Sequence, residues 1–317
     1  MKKISLLIPA YNEDDTLPLL YNELNKVLEE ILGFKFEILF VNDGSTDNTL
    51  NILRNLQKED PRINYISFSR NFGKETAMAA GFDYVKGDAV IVMDADLQDP
   101  PELIKEMINY WEEGYDDVYA KRRTREGETW FKKFTSHTFY RFLQKMTKIP
   151  IQKDTGDFRL LDRRAVESLK KLREKQRFTK GMFSWIGFNK KEILFDRKPR
   201  AAGETKWNYL KLFNLALEGV TSFTTFPLRI STILGIIVSF FSIIYMFIIL
   251  IKSIIWKDPV QGYPSMMVTI LFLGGVQLIS LGIIGEYVGR IFNETKYRPL
   301  YIVDEHNNEK VIDGGKL

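Results

Sequence analysis

The chain has 317 residues, 27% of them charged, with 45 Lys and Arg against 41 Asp and Glu, a net charge of +4 and no cysteine. That length allows one large or two small domains, and the missing thiols exclude disulfide frameworks and thiolate metal sites. The mean hydropathy of −0.17 looks soluble, but it averages a polar N-terminal part with an apolar C-terminal part.

The apolar stretch from Ile4 to Ala10 follows Met1-Lys2-Lys3 like a short signal peptide. Asn12, Glu13, Asp14 and Asp15 end it too early for that, and it reads as the first strand. Leu17, Leu20, Leu24, Val27, Leu28 and Ile31 have helical spacing, and Gly33 stops that helix. A second strand, 36–41, runs into Asn42-Asp43-Gly44-Ser45-Thr46-Asp47, whose Ser and Asp suit the start of a helix over 49–57. A third strand, 63–68, leads through Ser69-Arg70-Asn71-Phe72-Gly73-Lys74 into an Ala-rich helix ending near Val85. Strands alternating with helices predict a mainly parallel sheet with right-handed crossovers.

The fourth strand organises the rest. Ala89-Val90-Ile91-Val92-Met93 is apolar and largely β-branched, as in a strand buried on both faces. Asp94, Asp96, Asp99 and Glu102 follow at once, with Gln98 among them. The carboxyl edge of such a sheet is where ligands bind. Asp94 and Asp96 at alternate positions offer hard oxygen ligands suited to Mg²⁺ or Mn²⁺ rather than zinc. The alternative is an acidic turn capping the helix that starts near Pro100-Pro101-Glu102. A fifth strand is expected over 117–121.

The character then changes. Lys121-Arg122-Arg123-Thr124-Arg125 is basic, and Trp130, Phe131, Phe134, Phe139 and Phe142 are interleaved with Lys132, Lys133, Arg141 and Lys145. This suits a helix at a membrane interface, or an ordinary amphipathic helix with a solvated basic face. After Asp154 to Asp162 comes a charged helix, 163–175, then a strand over 190–195 and a basic loop from Arg197 to Lys206. Trp207, Leu210, Phe213, Leu217 and Val220 predict a second helix lying on the membrane. Arg229 and Lys252 bracket 22 uncharged residues. Such a helix is roughly 33 Å long, against a hydrocarbon core of about 30 Å. A second uncharged run, 259–285, makes a hairpin; a buried pair of core helices is the alternative. Arg200, Lys206, Lys211 and Arg229 at one end and Arg290, Lys296 and Arg298 at the other outnumber Lys252 and Lys257 in the loop. The positive-inside rule puts both chain ends in the cytoplasm.

Pro9-Ala10-Tyr11-Asn12-Glu13, Asn42 to Asp47, Asp94 to Pro100, Gly156-Asp157-Phe158-Arg159 and Arg200 to Lys206 occur in that order, and Leu281 to Arg290 closes the hairpin. With these motifs the chain resembles family 2 glycosyltransferases of the GT-A fold. With the hairpin it resembles the bacterial two-span branch of polyisoprenyl-phosphate glycosyltransferases, which load bactoprenol or dolichol with one sugar. The resemblance implies a GT-A domain over 1–206, an interfacial helix over 207–228, a two-span hairpin over 229–291 and a cytoplasmic tail over 292–317. It implies donor contacts from Pro9, Tyr11, Glu13, Asp43, Arg70, Lys74, Asp94, Arg200 and Lys206. Asp96 and Gln98, with Asp94, are the implied metal ligands. Asp157 and Asp94 are the implied catalytic carboxylates, with a helix N-cap as the alternative for Asp157. Arg122, Lys132, Ser136 and His137 are the expected cations and donors for the acceptor phosphate.

The activity implied is inverting, Mg²⁺- or Mn²⁺-dependent transfer of one sugar to a polyisoprenyl phosphate at the cytoplasmic face of the plasma membrane. The expected donor is UDP-glucose; GDP-mannose, UDP-aminoarabinose and UDP-N-acetylhexosamine are the alternatives. A lipid phosphate is largely ionised near neutrality, its second pKa being about 6, so Asp157 is expected to orient the acceptor rather than act as a strong base. A processive synthase is disfavoured, because the stretch at Gln176-Arg177-Phe178 lacks Gln-x-x-Arg-Trp spacing. A membrane nucleotide-sugar sensor is the non-enzymatic alternative. No nucleic-acid partner is expected. The hairpin's apolar flanks would suit a homo-oligomer, and any flippase is expected to be a separate protein.

Overall fold

The structure, a computed structural model, describes residues 1–123, 155–196, 226–256 and 262–311. It forms two units, Met1–Leu215 with Arg298–Leu317, and Ala216–Tyr297.

The first unit is built on strand β1 (Lys2–Ala10), in which Ile4, Leu6, Leu7 and Ile8 are wholly buried. It pairs in parallel with β2 (Phe34–Asn42) on one side and β4 (Ala89–Val92) on the other, and β2 pairs in parallel with β3 (Ile63–Phe68). The crossovers are α1 (Leu17–Glu29), α2 (Thr49–Glu59) and α3 (Lys74–Tyr84). Helix α1 buries Leu17, Leu20, Leu24 and Leu28, one apolar stripe at helical spacing. Each such leucine contributes roughly 1.5–3 kcal/mol of burial. Helix α3 is buried from Ala77 to Phe82, and a Cβ at Gly81 would sit 2.0 Å from Leu7 Cδ1. Only glycine lets the helix lie that close to β1.

The chain order reverses between β1 and β4, so the loops leaving both strands open onto one crevice. Beyond α4 (Leu103–Glu112) the sheet stops being parallel. Strand β5 (Asp117–Arg122) does not join β4 directly; β6 (Thr155–Asp162) lies between them, antiparallel to both. Helix α5 (Arg163–Lys170) follows, five residues shorter than the spacing predicts. Then come α6 (Thr179–Trp185) and β7 (Lys190–Phe195), which is parallel to β5.

The hairpin helices, α7 (Phe226–Trp256) and α8 (Tyr263–Thr295), make up the second unit and contact one another. Both run past the uncharged stretches that predict them. Phe240, Phe241, Ile270, Phe272, Leu278 and Leu281 are exposed. Among the described residues, Phe272–Thr295 is long and apolar enough to cross a membrane, and none of its apolar window is buried within the protein. Glu286 and Arg290 pair along α8 at 3.1 Å, as their four-residue spacing predicts.

After α8 the chain returns to the first unit. Strands β8 (Val303–His306) and β9 (Glu309–Lys310) extend the sheet past β3, so its order is β7-β5-β6-β4-β1-β2-β3-β8-β9. These residues, expected to be a polar tail, are instead part of the folded body. Glu305 is buried there, taking Arg54 at 2.5 Å and accepting from the Tyr65 hydroxyl. The imidazole of His306, given no role in the sequence, rests against the ring of Tyr84.

Candidate active site

Strands β4 and β6 pair with Val92 opposite Arg159 and Ala89 opposite Asp162. Continuing that register by two residues sets Asp94, just past the end of β4, opposite Asp157, near the start of β6. A strand's exit and its antiparallel neighbour's entry thus bring two carboxylates to one sheet edge. Lys74 joins them. Its Nζ is 2.5 Å from Asp94 Oδ1 and 2.5 Å from Asp157 Oδ2. The sequence suggests Lys74 for the donor pocket but gives no hint of this bridge.

Asp157 is 8% exposed, and its Oδ1 is buried and accepts no hydrogen bond among the described residues. Burial raises its pKa, but Lys74 and Lys180 outweigh that and hold the carboxyl well below the usual carboxylate range. For Lys74 desolvation opposes the charge, and Asp157 and Asp94 override it, keeping the ammonium well above the ordinary lysine range. The N-cap alternative for Asp157 does not hold: Asp157 lies within β6, and Asp162 caps α5 by accepting from Arg164 N.

Beneath this edge, Arg159 and Asp117 form an ion pair at 3.1 Å with both side chains fully buried. The Arg159 guanidinium lies 3.7 Å from the centre of the Phe183 ring. Arg159 is two residues from Asp157 on the same face of β6, so this pair fixes the strand that carries the carboxylate.

The acidic turn after β4 is shaped by Leu97, a non-glycine residue at φ 59°, in the left-handed region. Asp96 Oδ1 accepts from Gln98 N at 3.2 Å, and Asp99 Oδ2 accepts from Asp94 N at 3.4 Å. Burial and the charge of Asp94 push Asp99 up to about 7. Glu102, at the N-cap of α4, makes no side-chain cap hydrogen bond to that helix. Among the described residues no three His, Cys, Asp or Glu side chains converge on one point. A hard divalent cation that takes only one or two carboxylates from protein, and fills its shell with phosphate and water, fits Asp94 and Asp96; an all-protein cage does not.

The loops after β1 and β2 are sewn together. Asn12 N donates to Ser45 Oγ at 3.0 Å, Thr46 N to Asn12 Oδ1 at 2.8 Å, and Glu13 N to Thr49 Oγ1 at 2.9 Å. Pro9 and Tyr11 are partly exposed beside them. Glu13 also accepts from Thr16 Oγ1 at the start of α1. Asp43 faces the next loop: Oδ1 accepts from Phe72 N at 2.6 Å and Oδ2 from Gly73 N at 2.8 Å. Burial raises its pKa against those two bonds. Asp43 therefore braces the segment leading to Lys74. Gly44 is needed beside it, because at φ 64° a Cβ would lie 2.3 Å from the Arg70 carbonyl carbon. Arg70 itself is exposed and stacks over Phe72 at 3.9 Å.

Arg122 ends β5 at the same sheet edge, since Lys121 pairs with Thr155 at the entry to β6. Lys132, Ser136, His137, Arg200 and Lys206, and most of the interfacial helix over 207–228, lie outside the described residues. Two residues at the site carry no motif in the sequence. Glu75 accepts from the backbone and hydroxyl of Thr179, tying α3 to α6. Lys180, the next residue, bears electrostatically on Asp157 and makes no hydrogen bond or ion pair among the described residues.

The profile of Glycosyl transferase family 2 matches residues 5–170, more than half of the chain. The chain belongs to glycosyl transferase family 2. Residues 226–291 match the GtrB C-terminal hairpin. The chain is 52% identical over 303 residues to an uncharacterised glycosyltransferase of Synechocystis, covering 96% of this chain and 95% of that one. It is 47% identical over 301 residues to the bactoprenol glucosyl transferase of Shigella phage SfX, covering 95% and 98%. Among solved structures, glucosyl-3-phosphoglycerate synthase of Mycobacterium tuberculosis with Mn²⁺ and UDP aligns over 68% of this chain and 76% of that one, at 15% identity and a TM-score of 0.44. As a family 2 glycosyltransferase the chain has the expected α/β GT-A domain and apolar C-terminal hairpin. It departs from the simplest expectation in the inserted β6 and in the returning tail.

Proposed function

We propose that this glycosyltransferase moves one glucose from UDP-glucose to a polyisoprenyl phosphate, most simply undecaprenyl phosphate. The carrying observation is the Lys74 bridge: it sets an ionised Asp157, with one oxygen that accepts no hydrogen bond among the described residues, beside Asp94 at the carboxyl edge of the sheet. The name of the phage relative, a bactoprenol glucosyl transferase, at near full-length coverage, supports the acceptor class and the sugar.

In this reaction a phosphate oxygen of the lipid forms a bond to the anomeric carbon as the bond from that carbon to the nucleoside diphosphate breaks. One displacement inverts the anomeric centre. The acceptor arrives ionised, and Asp157, held far below neutrality, is a weak base. Its task is to orient the acceptor and to hold that phosphate's last proton when there is one. Two anions must approach an acidic edge, so Lys74, Lys180 and Arg122 serve to hold the carboxylates and receive the phosphate. Lys132, Ser136 and His137 complete the acceptor site in this reading, while Arg200 and Lys206 close on the diphosphate. Asp94, Asp96 and Gln98 would hold Mg²⁺ or Mn²⁺, which offsets charge on the departing diphosphate. Pro9, Tyr11, Glu13, Asp43 and Arg70 line the nucleoside side.

Helices α7 and α8 both cross the bilayer in this reading, with the catalytic domain and the tail cytoplasmic. Supporting this, the chain leaves the sheet-bearing unit near residue 215 and rejoins it at Arg298, so both hairpin ends are tied to one folded body. The number of crossings is then even, and the excess of Arg and Lys at the hairpin's base favours the cytoplasm.

Purified protein with Mg²⁺ or Mn²⁺, radiolabelled UDP-glucose and undecaprenyl phosphate should put label into a single-sugar lipid in the organic phase. Asp157→Ala, Asp96→Ala and chelation should each abolish it. Label only from another nucleotide sugar would replace the donor; no lipid product from any donor would overturn the reading.

A further inference from the structure

Seen from the donor side, the β3–α3 loop is held from two directions. Asp43 takes its backbone at Phe72 and Gly73, as described. On the other side stands the C-terminal segment returning from α8. Ser69 N donates to Ile302 O at 3.1 Å. The Tyr301 ring stacks on Phe68, centroids 5.3 Å apart and 17° from parallel. Phe68 meets Phe72 edge-on at 5.6 Å, and Arg70 lies on Phe72. Three rings and a guanidinium thus form one column running from the C-terminal segment to the loop that Asp43 braces. The Tyr301 hydroxyl also donates to Asp83 Oδ2 at 2.8 Å near the far end of α3. Arg173 grips the same carboxylate with two bonds, at 2.7 and 2.8 Å. Tyr301 therefore touches the strand before the loop and the helix after it.

We propose that Tyr301 is a positioning residue for the nucleotide donor: through Phe68 and Phe72 it sets the loop that presents Arg70 and Lys74. The inference rests on the reading that this loop faces the donor. It gives the C-terminal return a task in the reaction. The last turn of α8 ends at Thr295, six residues before Tyr301, so the residue that steadies the donor loop is also the leash of the apolar hairpin. Among the described residues no ring of this column touches Asp157 or the end of β5; the column reaches the acceptor side only through Lys74, at the end of the loop it sets.

The geometry separates donor from acceptor effects. In the full-length protein, Tyr301→Ala should raise the donor KM and the Kd for UDP on the order of tenfold, the size of one lost aromatic contact. The acceptor KM should change several-fold less than the donor KM, because the column reaches that side only through Lys74. Tyr301→Phe keeps the ring and should restore both donor constants nearly to wild type, which a generally weakened fold would not do. A second measurement needs no variant. Linkage is reciprocal, so UDP should slow amide exchange at residues 301–303 as well as at 69–73 in the wild type. A folded Tyr301→Ala with unchanged donor KM, or UDP that protects the loop and leaves 301–303 unaffected, overturns the positioning role while leaving the donor site standing. A wild type that neither binds UDP nor transfers sugar overturns the functional reading itself, and this inference with it.

Discussion

Replacing Lys74 by methionine keeps the length of the side chain and removes its charge. The ammonium contacts both Asp94 and Asp157 at 2.5 Å, so its loss turns an attractive triad into a repulsive pair. At a separation of about 5 Å and an effective dielectric of about 20, that repulsion is about 3 kcal/mol. That repulsion, together with the burial of Asp157, raises the pH at which the pair takes up a proton. The sign follows directly. In the wild type Asp157 is ionised throughout the working range, whereas in Lys74→Met the pair gains a proton towards the acid end of that range. The acceptor phosphate also protonates near pH 6 in both proteins. Log kcat/KM against pH should therefore fall with a slope of one in the wild type and approach two in the variant. Above pH 7.5 the charge effect fades, and a remaining loss on the order of 10²-fold reports the misplaced carboxylate. The assay is transfer of label to lipid between pH 5 and 9. Equal slopes with kcat within twofold of wild type would refute the bridge.

Lys180→Ala, which removes a cation that bears on Asp157 and makes no hydrogen bond or ion pair among the described residues, should raise the acceptor KM several-fold and leave UDP affinity alone, as titration of each substrate would show. Gly44→Ala forces a Cβ against Arg70 backbone at 2.3 Å and should cost about 1–3 kcal/mol of stability while weakening donor binding, read by urea unfolding and by UDP titration. Glu305→Ala removes a buried carboxylate from Arg54 and Tyr65 and should cost about 1.5–3 kcal/mol, lowering Tm with kcat at permissive temperature little changed.

The strand–helix alternation of the first half is legible because each strand there is a contiguous apolar run and each crossover has a single stripe. The acidic edge is legible for the same reason: Asp94 and Asp96 follow such a run immediately. Strand β6 is harder, because Thr155 to Asp162 mixes Asp157 and Arg159 into its sequence. Both are tolerated only because Lys74 and Asp117, far away in the chain, neutralise them. Strand β8 is harder still. Val303-Asp304-Glu305-His306 looks solvated, and Glu305 is buried by partners some 240 residues upstream. Lys74 stands between the two cases. Its place in a loop at the sheet edge can be read from the sequence, but its contact with Asp157 depends on an antiparallel register that no local pattern encodes.

Taken as charges, the site explains why the fold spends so many long-range contacts here. Asp94, Asp96, Asp99 and Asp157 crowd one sheet edge, yet the proposed reaction brings a diphosphate and a second phosphate to the same place. An edge left to itself would resolve this by protonating its carboxylates or by excluding its substrates. Lys74 settles part of the conflict by binding two of the carboxylates, and burial settles another part by pushing Asp99 up to about 7. In the proposed reaction Asp96 receives the incoming cation, and Lys180 and Arg122 receive the incoming anion. Placement of Lys74 is therefore the condition on which the other assignments depend. Asp43 and the Tyr301 column steady the loop that carries it, and Arg159 with Asp117 steadies the strand it grips. A perturbation at any of these supports should surface first as a disturbed Lys74, before any loss of the fold itself.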